Sequence, residues 1–125
     1  MSQKVILVVD DEKDVCNVIK DGLRHLGGYK IVVAHNGKDG VRQAKRANPN
    51  LVLLDVNMPG MDGFQVLELL KSDPQTMHIP VVMLSGQNDQ DTKVFASRLY
   101  CETYLTKPIS LDALENRINA ILSRF

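Results

Sequence analysis

The chain lacks the marks of several functional classes. It has no excess of either charge, with 15 Lys plus Arg against 15 Asp plus Glu. A balanced chain has no general attraction for nucleic acid or for an anionic membrane, so neither is expected as a partner. It has two cysteines, Cys16 and Cys101, and no CxxC pair. That excludes a disulfide framework, and both thiols read as small buried hydrophobes in a reducing, cytoplasmic setting. Long apolar runs are missing too. Val5–Val9, near the start, has only five residues, too few for a secretory signal or a membrane span. His25, His35 and His78 show no metal-ligand spacing and read as surface or structural residues. No repeat, low-complexity stretch or linker interrupts the chain, so residues 1–125 are expected to form one domain.

What is present is a regular alternation. Short apolar runs recur at Val5–Val9, Ile31–Ala34, Leu51–Leu54 and Val81–Leu84, with a weaker one at Tyr104-Leu105. They are too short for helices and rich in Val, Ile and Leu, the pattern of strands buried on both faces of a parallel sheet. Helical stripes lie between and after them. The first is Val15, Val18, Ile19, Leu23 and Leu26, stopped by Gly27-Gly28. Val41 with Ala44 follows, then Phe64, Leu67 and Leu70, then Val94, Phe95 and Leu99. The last stripe is Leu111, Leu114, Ile118, Ile121 and Leu122, with Ser110 as its N-cap. Strand and helix thus alternate five times. The expected fold is α/β: an open, doubly wound, five-stranded parallel sheet flanked by five helices, in the flavodoxin-like strand order 2-1-3-4-5. Ligands of such sheets bind at the carboxyl ends of the strands, where the winding direction reverses.

Polar groups stand at those ends. The first strand runs into Asp10-Asp11, the third into Asp55, the fourth into Ser85-Gly86 and the fifth into Lys107-Pro108. Strands one and three are neighbours in this order, so Asp10, Asp11 and Asp55 converge. Two unit charges ~4 Å apart repel by roughly 4 kcal/mol at an effective dielectric near 20, so a proton or a cation must relieve them. An all-oxygen set favours a hard cation: Mg²⁺, or Mn²⁺ as the alternative. Lys107 offers a point charge for a phosphate oxygen and Ser85 a hydroxyl donor. An aspartate, a metal, a lysine and a hydroxyl together suit phosphoryl transfer to a carboxylate, with Asp55 as the central nucleophile.

These segments resemble the receiver domains of bacterial response regulators. Val8-Val9-Asp10-Asp11-Glu12 resembles their acidic opening, and Leu53 to Gly63 their phosphoacceptor loop. Ser85-Gly86 stands where the family has Ser or Thr and a small residue, and Tyr104-Leu105-Thr106-Lys107-Pro108 resembles the closing motif. The resemblance implies that Asp55 accepts a phosphoryl group from a sensor histidine kinase or a histidine phosphotransfer protein. Asp10, Asp11, Asp55 and the carbonyl of Asn57 would hold Mg²⁺. Lys107 would pair with the phosphoryl group, with a cis bond to Pro108. Ser85 and Tyr104 would act as a switch, relaying the change to the face made by the fourth helix, fifth strand and last helix. The output would be a downstream protein target or an output domain beyond this chain, and the state a monomer or a phosphorylation-dependent dimer. Two positions depart from the family pattern: Tyr100-Cys101 replaces Gly-Ala, and Gly86 replaces Ala. Asn57 and Gln87 lie where the family tunes dephosphorylation.

Blander readings exist for each residue. Asp10 and Asp11 could cap the first helix, Ser85 could be a turn residue and Lys107 a solvated lysine. Three other functions are conceivable. A haloacid-dehalogenase-like phosphatase would need a second Asp two residues after the nucleophile, where Asn57 stands. A flavin module would need a glycine- and hydroxyl-rich loop where Asp10-Asp11-Glu12 stands. An interaction-only pseudo-receiver would lack acidic or acceptor residues that this chain has.

Overall fold

In the computed structural model of the chain, residues 3–86 and 101–124 are described. They run in the order β1 (Lys4–Val9), α1 (Lys13–Leu26), β2 (Tyr29–Ala34), α2 (Gly37–Ala47), β3 (Leu51–Asp55), α3 (Gly63–Ser72), β4 (Val81–Ser85), β5 (Thr103–Thr106) and α4 (Leu111–Leu122). All five strands are parallel, in the spatial order β2-β1-β3-β4-β5. The helix expected around Val94, Phe95 and Leu99 lies outside the described residues, as do Gln87 and Tyr100. Among the described residues four helices are therefore seen where five were expected.

The strands explain why the sequence is apolar without alternation. Successive side chains point to opposite faces, and here both faces are covered. Leu7, Val9, Val52, Leu54, Val81 and Met83 pack on one side with Ala44 of α2 and Val66, Leu67 and Leu70 of α3. Ile6, Val8, Leu51, Leu53, Val82 and Leu84 pack on the other with Cys16, Ile19 and Leu23 of α1 and Leu114, Ile118 and Ile121 of α4. Each fully buried Leu, Val or Ile side chain contributes roughly 1.5–3 kcal/mol. The central strands therefore make a rigid platform for whatever stands at their ends.

Helix α1 corrects one expectation. Its buried stripe is Cys16, Ile19 and Leu23, whereas Val18 and Leu26 are exposed. The contact face is narrower than the apolar stripe, and Cys16 completes it in place of Val18. Helix ends follow local chemistry. Gly27 and Gly28 take positive φ after α1, a conformation that glycine adopts without steric cost. Asp62 and Gln65 form a capping box on α3, and Ser110 caps α4 by accepting from the Ala113 N–H. Neither Asp10 nor Asp11 caps α1. Its N-cap position is Glu12, whose side chain makes no capping bond.

Candidate functional site

Sheet register brings the site together. Val9 of β1 pairs with Leu54 of β3, and the next residue on each strand is Asp10 or Asp55. Across the other side of β3, Asp55 pairs with Leu84, and Ser85 then pairs with Thr106 of β5. Lys107 follows directly, its N–H donating to the Ser85 carbonyl at 2.7 Å. The Lys107–Pro108 peptide is cis. Tyr104 pairs with Met83, two rungs from Ser85 and Thr106. By the two-residue period its side chain shares a face of the sheet with that of Ser85. Ser85 is buried, and Tyr104 packs half-buried against the core on the α2–α3 side.

The carboxylates converge. Asp10, Asp11 and Asp55 each offer an oxygen, and these oxygens all lie within 4.8 Å of one another. Asp10 is 0% and Asp55 2% exposed, so two carboxyl groups sit out of reach of water, while Asp11 is partly exposed. Lys107 Nζ reaches into the group, 3.0 Å from Asp10 Oδ2 and 3.1 Å from Asp55 Oδ1. The contact with Asp10 is an ion pair without hydrogen-bond alignment. Asp10 Oδ1 accepts from the Glu12 N–H at 2.9 Å, which fixes that carboxylate. Asp55 Oδ1 faces the Asn57 N–H at a long 3.4 Å.

The electrostatics of the cluster favour a cation. Burial first, then the Asp10 carboxylate, pushes the Asp55 carboxyl from 3.8 up to about 7, against the opposing pull of Lys107. Lys107 itself is pulled down by burial, but Asp10 and Asp55 outweigh that and hold it above the usual lysine range. One ammonium does not balance the two buried carboxylates. Asp10 Oδ2 and Asp55 Oδ2 are both buried and accept no hydrogen bond, although buried polar atoms are normally satisfied. Opposite ligands of an octahedral Mg²⁺ stand roughly 4.2 Å apart, twice the metal–oxygen distance. Three carboxylates that each bring an oxygen within 4.8 Å of the others are clustered on that scale and fit a hard divalent cation.

The raised Asp55 value has a testable sign. Because the fold favours the neutral carboxyl, its contribution to stability is present below ~4 and lost as pH rises through the folded value, about 7. Chemical denaturation in chelator should therefore show stability falling across that window, and Asp55→Asn should flatten the fall. Protons and cation compete for the same oxygens, so Mg²⁺ affinity should rise with pH up to about 7.

Two contributors were not singled out in the sequence. Glu12 Oε1 lies 3.1 Å from Lys107 Nζ. Gly63 lets the start of α3 press on the site backbone, its N–H donating to the Val56 carbonyl at 2.9 Å. A Cβ there would overlap the Asp55 carbonyl oxygen and stand 2.8 Å from Val56 Cα. The Asp62–Gln65 capping signal was readable in the sequence, but the close approach at Gly63 depends on where α3 lies. Met58 is buried and Met61 packs against the core.

Comparison with known proteins decides the family. Residues 6–119 match the family model described as the response regulator receiver domain. The chain belongs to this family. Protein PilH of Pseudomonas aeruginosa is 37% identical over 94% of this chain and 97% of its own length. The alkaline phosphatase synthesis transcriptional regulatory protein PhoP of Bacillus subtilis is 34% identical, and the receiver covers 49% of its length. The chain thus spans nearly all of one curated relative and about half of another. Among solved structures, the N-terminal domain of a response regulator receiver protein from Methanoculleus marisnigri JR1 is 35% identical. It superposes with a TM-score of 0.78 over 99% of this chain and 100% of that one. Receivers are phosphorylation-activated signalling modules that take their phosphoryl groups from histidine kinases or phosphotransfer proteins, and they bind Mg²⁺ at an acidic cluster. Nothing in the comparisons supports the phosphatase reading. Among the described residues, no helix is long and apolar enough to cross a membrane.

Proposed function

We propose that Asp55 is the phosphoacceptor, that Asp10, Asp11, Asp55 and the Asn57 carbonyl hold Mg²⁺, and that Lys107 and Ser85 bind the phosphoryl oxygens. The observation that carries this reading is the convergence of three carboxylates and one ammonium at the ends of β1, β3 and β5, with Asp55 Oδ2 buried and accepting no hydrogen bond. Bound there, the cation would offset charge on the transferring group. An Asp55 oxygen attacks phosphorus and the P–N bond of the donor phosphohistidine breaks. The electron pair stays on the imidazole, which takes up a proton. Lys107 pairs with the negative oxygens of the acyl phosphate, and Ser85 donates its hydroxyl to one of them.

The new group brings roughly −1.5 to −2 charge units. The shift of Ser85 toward it biases Tyr104, which shares its face of the sheet, and so alters the surface around β5 and α4. On this reading the chain is one receiver unit in the cytoplasm. It catalyses only its own phosphotransfer and dephosphorylation, and acts on a protein partner or an attached output domain. Incubation with acetyl phosphate and Mg²⁺, followed by intact mass, tests the proposal. One acid-stable, base-labile phosphoryl group per chain is expected. Release of phosphate over many turnovers from a small ester, with no labelled chain, would overturn it.

A further inference from the structure

Glu12 occupies the N-cap position of α1 yet makes no capping bond with its side chain. Asp, Asn, Ser or Thr would serve better there. The carboxylate instead crosses to Lys107, accepting from Nζ at 3.1 Å. The ammonium has three donor hydrogens and three carboxylates around it, Asp10, Asp55 and Glu12. These three differ in depth. Asp10 and Asp55 have side chains 0% and 3% exposed, whereas that of Glu12 is 59% exposed. The Glu12 N–H also holds Asp10 Oδ1 at 2.9 Å. One residue thus fixes the inner carboxylate through its backbone and the ammonium through its side chain.

We propose that Glu12 is a positioning residue for Lys107: an outer carboxylate that keeps the ammonium at the mouth of the cleft when a divalent cation takes the inner two. The inference rests on the metal-binding reading above. A cation bound to Asp10 and Asp55 repels the ammonium from the oxygens it now contacts. With Glu12 present, Lys107 moves outward to a partner it already has and stays within reach of an incoming phosphoryl group. Without Glu12, the ammonium has, among the described residues, only the carboxylates of Asp10 and Asp55, the same groups the cation needs, and competes for them.

The test is a double-mutant cycle on the full chain, read as the Mg²⁺ dissociation constant by titration calorimetry. Glu12→Gln should weaken Mg²⁺ binding about three- to tenfold in the wild-type background and less than about twofold in a Lys107→Met background, because coupled residues are not additive. Equal losses in both backgrounds would show Glu12 acting as a plain charge and overturn the proposal, as would no loss in either. A second readout stands if Lys107→Met does not fold. In the Mg²⁺-saturated chain, reductive methylation of Lys107 should run at least about threefold faster in Glu12→Gln than in wild type, since a donor freed of its partner is more accessible. Equal rates would contradict the tether. Acetyl phosphate labelling of wild type in parallel separates the two levels. An unlabelled wild type refutes the receiver chemistry, whereas a labelled wild type with an unresponsive Glu12→Gln refutes only the positioning role.

Discussion

Asp55→Asn should lower phosphoryl incorporation from acetyl phosphate by at least about a hundredfold, equivalent to roughly 3 kcal/mol of barrier. The amide has nearly the shape of the carboxylate and can accept the same hydrogen bond from the Asn57 N–H. What it loses, on the proposed reading, is the anionic oxygen pair that would attack phosphorus and hold the cation. The variant should not be less stable. The Asp55 carboxyl is pushed up to about 7 by burial and by Asp10, so its ionised form is a burden on the metal-free fold. Above that pH, Asn should raise the unfolding midpoint in chelator. Lost labelling together with gained stability separates a functional carboxylate from a structural one, because removing a structural carboxylate would lower both. Intact mass and urea denaturation on the same preparation measure the pair.

Gly63→Ala should destabilise the fold by about 3 kcal/mol, the upper part of the range for overpacking, and slow labelling with it. The added methyl would meet the Asp55 carbonyl oxygen and Val56 Cα, which are backbone atoms of the segment carrying the proposed acceptor. Neither can rotate aside. The start of α3 must withdraw, giving up the Gly63 N–H bond to the Val56 carbonyl and loosening the chain at Asp55. Gly22→Ala is the control. The nearest atoms its methyl would meet belong to the side chain of Leu111, from 2.7 Å, and a leucine 37% exposed can change rotamer. Its cost should be under ~1.5 kcal/mol, with labelling unchanged. Denaturation midpoints of the two variants, set beside their labelling rates, check both statements.

The sheet was legible because its signal is redundant. Runs such as Leu51–Leu54 and Val81–Leu84 cannot be amphipathic, so burial on both faces follows, and with it the parallel order seen here. The ends of those runs then place Asp10 beside Asp55 with little freedom. Helix faces were less legible. Val18 fits the stripe of α1 as well as Cys16 does, and only the position of the sheet beneath selects Cys16. Contacts that join distant segments were not legible at all. Glu12 and Lys107 are 95 residues apart, and nothing local distinguishes Glu12 from any solvated acid at a helix start. The packing of Gly63 on Asp55 is hidden for the same reason, since it depends on where α3 settles against β3.

The most direct measurement of the central claim is a Mn²⁺ titration followed by amide resonances. Paramagnetic broadening maps every backbone site close to the ion. Saturation at one equivalent, with broadening centred on Asp10, Asp11, Asp55 and Asn57 and displaced by Mg²⁺, is the predicted result. Broadening centred elsewhere, or none at the ends of β1 and β3, would contradict the account.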